Sequence, residues 1–179
     1  MRRIFIATAV AALLIIAMAA FADRPKAVAQ TGTGTPQPTS SAHFFSAVAA
    51  QLHVTTHVPV YLPASVPFQT SPLYATVLSS ASTSYVVELS GAPSCNGGAW
   101  CHLGTISGYQ SGVAPPLSGT STTTLTNGTV AYLNPTQCGA SCGDSTYTFL
   151  IGSYTYIVGV RGNYLAYALT MANSMQLFN

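Results

Sequence analysis

From Gln30 to Asn179 the chain carries three formally charged side chains, Glu88, Asp144 and Arg161, and no lysine, and four cysteines fall in the same stretch. Such a segment has few groups for proton transfer or ion binding, which argues against acid–base catalysis before any motif is considered. Few titrating groups also exchange few protons on unfolding, so stability is expected to depend weakly on pH through the acid range.

The charge lies at the other end. Met1-Arg2-Arg3 precedes an uncharged run from Ile4 to Ala22, followed by Asp23-Arg24-Pro25-Lys26 and then Ala27-Val28-Ala29 before Gln30. A basic start, an apolar run and small residues at Ala27 and Ala29 are the order of a secretory signal, with cleavage before Gln30 or, as a second choice, after Ala22. The apolar run also approaches the length of a short membrane span, so an uncleaved anchor with Arg2 and Arg3 inside is the alternative. Arg2-Arg3 is a minimal basic region before a strongly apolar run, which favours the general export route over a twin-arginine one. Removing residues 1–29 takes away four cations and one anion, so the formal charge of +2 becomes −1. A domain of that charge has no footprint for phosphate backbones, so nucleic acid is excluded as a partner. Attraction to anionic lipid fails for the same reason, and a membrane is a partner only if the N-terminal segment stays uncleaved.

Export makes disulfides the default state of Cys95, Cys101, Cys138 and Cys142. Pairing within Cys95/Cys101 and within Cys138/Cys142 closes small rings, each stabilising by about 2 kcal/mol on the chain-entropy model; a cross-pairing such as Cys95 to Cys138 would give roughly 4 kcal/mol. Local pairing is the expectation. A zinc site with His102 beside Cys101 is the rival, but the spacings depart from the usual Cys-x2-Cys knuckle and export disfavours free thiolates. No metal or other cofactor is therefore expected.

Residues 30–41 are small and polar, with glycine and proline, and read as a flexible linker. Residues 42–179 are expected to form one extracytoplasmic domain, long enough to bury a core unaided. Ser41 can cap a helix whose apolar stripe is Phe44, Phe45, Val48, Ala49 and Leu52, ending near His53. Val54 to Pro63 is rich in β-branched residues and proline and reads as extended. Strands are predicted at Tyr74–Leu78, Ser84–Leu89 and His102–Tyr109; in the second, Tyr85, Val87 and Leu89 share one face while Val86 and Glu88 share the other. Asn127-Gly128 predicts a two-residue type I′ hairpin between Thr122–Thr126 and Thr129–Leu133. A second hairpin is expected at Gly152-Ser153, joining Thr146–Ile151 to Tyr154–Val160. Helical spacing returns after Asn163, with Leu165, Ala168, Leu169, Ala172 and Met175 on one side. The expected fold class is α+β, an antiparallel sheet of about six strands with an N-terminal and a C-terminal helix packed on it.

Val58-Pro59-Val60-Tyr61-Leu62-Pro63, a Tyr85 strand leading to Cys95 and Cys101, the Asn127-Gly128 hairpin leading to Cys138 and Cys142, and a last helix with Ala172-Asn173-Ser174-Met175 together carry a resemblance. The chain resembles uncharacterised bacterial extracytoplasmic domains with a PVYLP start, paired cysteines and a C-terminal A-x-S-hydrophobic helix, some attached to membrane-anchored regulators of the anti-sigma or sporulation type. The resemblance covers about residues 42–177. It implies an α+β fold with an antiparallel sheet, curved around an apolar groove as in lipoprotein-carrier-like domains, and it brings no catalytic residues. The low charge of this chain departs from more usual members.

No catalytic residue is assigned. Gly143-Asp144-Ser145 reads as a turn, since no Gly-x-Ser-x-Gly elbow occurs. Glu88 and Asp144 are the only carboxylates after the first segment, and nothing in the spacing brings them together; Glu88 reads as a solvent-facing charge or a partner for Arg161. His53 and His57 would chelate on a helix, but in a strand they stand about 13 Å apart. His43 reads as surface. Trp100, the one tryptophan, lies in the Cys95–Cys101 loop beside His102. Its ring is either held outward to stack on sugar or an apolar ligand, or folded back as a lid over the sheet edge, the simpler reading. Trp100 and His102 are thus the candidate ligand-binding residues. Most of the ten tyrosines read as core or edge residues, and the Asn127-Gly128-Thr129 sequon is explained by its turn.

The expected function is that of a secreted or surface-displayed module, non-catalytic, binding or structural, and stapled by two disulfides, with an apolar, carbohydrate or protein ligand. An envelope carrier or sensor for an apolar ligand such as lipid is the first alternative. An extracellular hydrolase using Ser145 or His102 with Asp144 is the second.

Overall fold

Two hairpins and a pair of buried tyrosines organise the chain. The computed structural model describes residues 41–179 except 113, 137, 139 and 140. The segments read as signal and as linker 30–41 lie outside them except for Ser41, which is the first residue of a helical turn rather than linker. Helical turn α1 (Ser41–Phe44) and helix α2 (Ser46–His53) open the domain. They are separated at Phe45, where Ser46 Oγ donates to the His43 carbonyl at 3.0 Å. The predicted stripe is the one that buries: Phe45, Val48, Ala49 and Leu52 are all in the core. After His53 the chain turns instead of extending, with Thr55 and Thr56 both donating to the Leu52 carbonyl, and only Tyr61–Pro63 is strand (β1).

Seven strands then form one antiparallel sheet: β2 (Tyr74–Ala81), β3 (Ser84–Ser90), β4 (His102–Gln110), β5 (Ser121–Thr124), β6 (Val130–Asn134), β7 (Asp144–Ile151) and β8 (Tyr154–Arg161), in spatial order β2-β3-β4-β8-β7-β6-β5. The chain runs a three-strand meander, crosses to the far edge, and returns through β6 and β7 until β8 closes onto β4. Helix α3 (Leu165–Asn173) follows, and β9 (Met175–Leu177) pairs antiparallel with β1. The described residues therefore hold nine strands in two sheets where about six in one sheet were expected. The short β1–β9 pair escapes a reading based on periodicity because three residues show no period.

Period-two alternation separates the sheet into two faces. Val87, Ile106, Val158, Tyr147 and Leu133 form one row across five strands, and Tyr85, Gly108, Tyr156, Phe149 and Ala131 the next. These rows pack with α2 and α3 into the core, each large side chain contributing roughly 2 kcal/mol by leaving water. Tyr85 and Tyr156 are fully buried and need partners for their hydroxyls. Tyr85 Oη donates to the Tyr61 carbonyl at 2.9 Å and accepts from its N–H at 3.1 Å, and Tyr156 Oη donates to the Pro59 carbonyl at 2.9 Å. Burial pushes both phenols well above their ordinary range, which keeps them neutral donors. The Val58–Pro63 segment is thus tied to the sheet by the tyrosines beneath it.

Two local expectations are corrected. The Asn127-Gly128 hairpin forms where predicted, but as a three-residue loop. Gly128 N–H donates to Leu125 O, Leu125 N–H donates to Thr129 O, and of the two predicted turn residues only Gly128 has positive φ, at 84°. This is a type I turn closed by a glycine bulge rather than type I′. Asn127 keeps negative φ because its Oδ1 accepts the Thr129 N–H at 3.0 Å, a local bond that the type I form satisfies. The second correction is the last helix. Met171, not Met175, is its buried methionine, and Met175 starts β9. The helix stops at Ser174, whose carbonyl accepts from Ala64 N–H at 2.7 Å and whose Oγ accepts from Ser65 N–H at 3.1 Å. The Gly152-Ser153 hairpin is as expected: Ile151 faces Tyr154, and Gly152 takes positive φ at 61°.

Candidate functional site

The sheet face away from the helices carries a row of Glu88, Thr105, Gly159, Thr146 and Asn134 across β3, β4, β8, β7 and β6. Glu88 was expected to face solvent or pair with Arg161. Instead it is 1% exposed, because the Cys95–Cys101 loop closes over its end of the row. Gly97 N–H donates to Glu88 Oε1 at 2.9 Å, and His102 Nδ1 donates to the same oxygen at 3.0 Å.

The other nitrogen of the ring meets the second carboxylate. His102 Nε2 lies 2.9 Å from Asp144 Oδ1, and Thr105 Oγ1 donates to Asp144 Oδ2 at 3.1 Å. Asp144 is therefore not in a turn, as its Gly-Asp-Ser context suggested, but is the first residue of β7. Its carboxylate occupies the space that Gly159 leaves: a Cβ there would stand 2.9 Å from both Asp144 Oδ2 and Thr105 Oγ1. The Glu88–His102–Asp144 cluster thus depends on a missing side chain on a fourth strand. Its members are separated by 14 and 42 residues, and no local spacing could have announced it.

With carboxylates on both sides, both ring nitrogens donate, which requires the imidazolium form. The hydrogen bond to Asp144, then that to Glu88, and the attraction of both carboxylates hold His102 above the ordinary histidine value, against the opposing effect of burial. Two charge-assisted bonds to one ring clamp β3, β4 and β7 together. Glu88 Oε2 is buried without a partner, so the clamp on that side rests on Oε1 alone.

Both disulfides close locally, Cys95 to Cys101 and Cys138 to Cys142, and no cysteine is free. The first ring presents Trp100. Its ring is 79% exposed, so the lid reading does not hold; the ring lies against Gly98, where an added Cβ would come within 3.3 Å of the indole nitrogen. Trp100, His102, Phe68, Arg161, Tyr164 and Tyr167 border one groove of about 510 Å³, with Cys142 of the second disulfide also on its wall. Tyr164, 62% exposed, stacks on Tyr167 with ring centres 5.7 Å apart, and Tyr167 meets Phe68 edge-on at 6.0 Å. The two residues expected to bind ligand, Trp100 and His102, do line the same groove; Tyr164, Tyr167, Phe68 and Arg161 are additions that sequence spacing did not single out.

The remaining candidates lie elsewhere. His43, His53 and His57 are exposed, and the chain between the last two is a helix end and a turn rather than a strand. Ser145 is fully buried; its Oγ donates to the Gly162 carbonyl at 2.8 Å and accepts from Thr136 N–H at 3.0 Å. Adjacent residues of a strand point to opposite faces, so Ser145 is turned away from Asp144. Among the described residues no group of three or more histidine, cysteine or acidic side chains is arranged to hold a metal ion.

Compared with known proteins, the chain matches no family model, no curated protein and no solved structure. The two disulfides fit a domain stabilised for an oxidising, extracellular setting. Among the described residues no helix is long and apolar enough to cross a membrane.

Proposed function

We propose that the chain is a secreted or surface-displayed binding module that takes its ligand, without chemical conversion, in the groove between Trp100 and Tyr164. The observation that carries this is the outward indole: a large ring 79% exposed on a disulfide-held loop, lining one groove with a second exposed ring at Tyr164. Exposing two large rings costs free energy that a ligand recovers by covering them. The absence of conversion is supported by the chemistry available. Both nitrogens of His102 are committed to carboxylates, and the Ser145 hydroxyl is buried and donated, so neither is free to act as base or nucleophile.

The likeness to extracytoplasmic PVYLP domains belongs to the same reading, and its two end motifs meet here. Pro63 of the first is the register partner of Met175 of the second, next to the Ser174 bonds to Ala64 and Ser65. A carrier for an apolar ligand such as lipid is the second reading, favoured by the Phe68, Leu103 and Val160 side chains on the groove wall.

The test uses the single tryptophan. Its emission is followed while the secreted protein is titrated with oligosaccharides and with lipid vesicles, and Trp100→Ala is compared by calorimetry. A saturable change with one ligand class, lost in Trp100→Ala, supports the proposal. No response to any class, in emission or in heat, would sink it.

A further inference from the structure

Among the described residues Arg161 is the one lysine or arginine, and among them no carboxylate lies within ion-pair distance of it. This is unexpected, because Asp144 is its register partner across β7 and β8, and directly opposed residues of antiparallel strands share a face. The Asp144 carboxylate turns away into the space at Gly159, where His102 and Thr105 engage its oxygens. The other carboxylate, Glu88, is buried and bonded to His102 and Gly97. Both acids of the domain are thereby consumed by the clamp, and the guanidinium stands unpaired on the wall of the aromatic groove.

Resting on the binding role proposed above, we infer that the groove recognises an acidic saccharide, its carboxylate on Arg161 and its sugar rings on Trp100 and Tyr164. A guanidinium presents a planar fork that matches a carboxylate with two parallel hydrogen bonds, and it is weakly hydrated enough to give up water for them. Exposed aromatic faces pack against the C–H face of a sugar ring, and the groove is large enough for more than one ring. A purely apolar ligand would leave the guanidinium covered and unpaired, a cost that argues against it at this end of the groove. The clamp is what leaves Arg161 without a carboxylate partner. Without His102 and Gly159, Asp144 would be free to neutralise Arg161.

The experiment titrates the wild-type protein with tetragalacturonate and, separately, with neutral cellotetraose, following Trp100 emission. The acidic oligomer is expected to bind at least about tenfold more tightly, the loss of one charge-assisted pair being of that order, and the preference is expected to shrink as salt is raised. Arg161→Gln should bring the two oligomers to within about twofold of each other, with Arg161→Lys between it and wild type. Equal binding of the two oligomers by the wild type overturns the inference and leaves the binding role standing. Binding of lipid vesicles alone overturns it in favour of the carrier reading, and no binding of any probe defeats the binding role as well. Melting curves of the Arg161 variants check that they fold, and the wild-type comparison decides without them.

Discussion

Asp144 and Arg161 face each other across two neighbouring strands, yet the carboxylate bonds to His102, 42 residues away in the chain, and not to the guanidinium beside it. The preference follows from space and from partners. Gly159 opens room on the His102 side, and Thr105 adds a second donor there.

Removing the ring exposes what the clamp contributes. His102→Ala leaves Glu88 buried with only the Gly97 N–H, and breaking a buried pair by removing one partner is far costlier than removing both. We expect His102→Ala to lose about 3 kcal/mol in urea unfolding, and His102→Ala with Glu88→Gln to lose less than the sum of the two single changes. Strict additivity would show that the two groups do not interact.

The raised value of His102 sets a pH dependence with a definite sign. A group that gains proton affinity on folding contributes stability that is complete below its unfolded value, near 6.5, and is lost as pH rises through the folded value. Melting temperature should therefore fall as pH rises above about 6.5, and His102→Gln should flatten that fall. The imidazole proton resonances of His102 should titrate above the ordinary histidine value. A melting temperature that rises over this window would contradict the clamp.

Gly159→Ala tests the geometry without replacing a charged group. The added methyl would meet Asp144 and Thr105 at 2.9 Å, and overpacking of this kind costs about 1 to 3 kcal/mol. The sharper expectation is spectroscopic: the His102 titration should move down towards the ordinary histidine value as Asp144 is displaced. An unchanged titration would mean that the strands part without disturbing the cluster.

The first disulfide holds both the clamp lid and Trp100. Replacing Cys95 and Cys101 by serine should cost about 2 kcal/mol from chain entropy and, in addition, weaken ligand binding, since the loop carries both Gly97 and the indole. Stability lost with binding intact would place the ligand away from this loop.

Within the core, Tyr85→Phe removes both bonds to the Tyr61 backbone while keeping the ring. Leaving those groups unpaired should cost about 2 kcal/mol, and amide exchange in β1 should accelerate more than in β7.

What the sequence determined alone is whatever is written in short windows. The stripe of α2, the alternation of β3, the positions of both hairpins and the local pairing of the cysteines each depend on residues a few places apart, and each is present in the structure. The tertiary structure decided the rest, because it depends on register between distant strands. Glu88 reads as a solvent-facing residue from its place in an alternating strand, and only the docking of the Cys95–Cys101 loop and of β7 makes it a buried partner of His102. Three residues at Met175–Leu177 carry no period, and only Tyr61–Pro63 lying alongside makes them a strand. The site belongs to this second class: a vacancy at Gly159 on one strand lets a carboxylate from a second reach a ring on a third, and pattern within any one of them contains none of it.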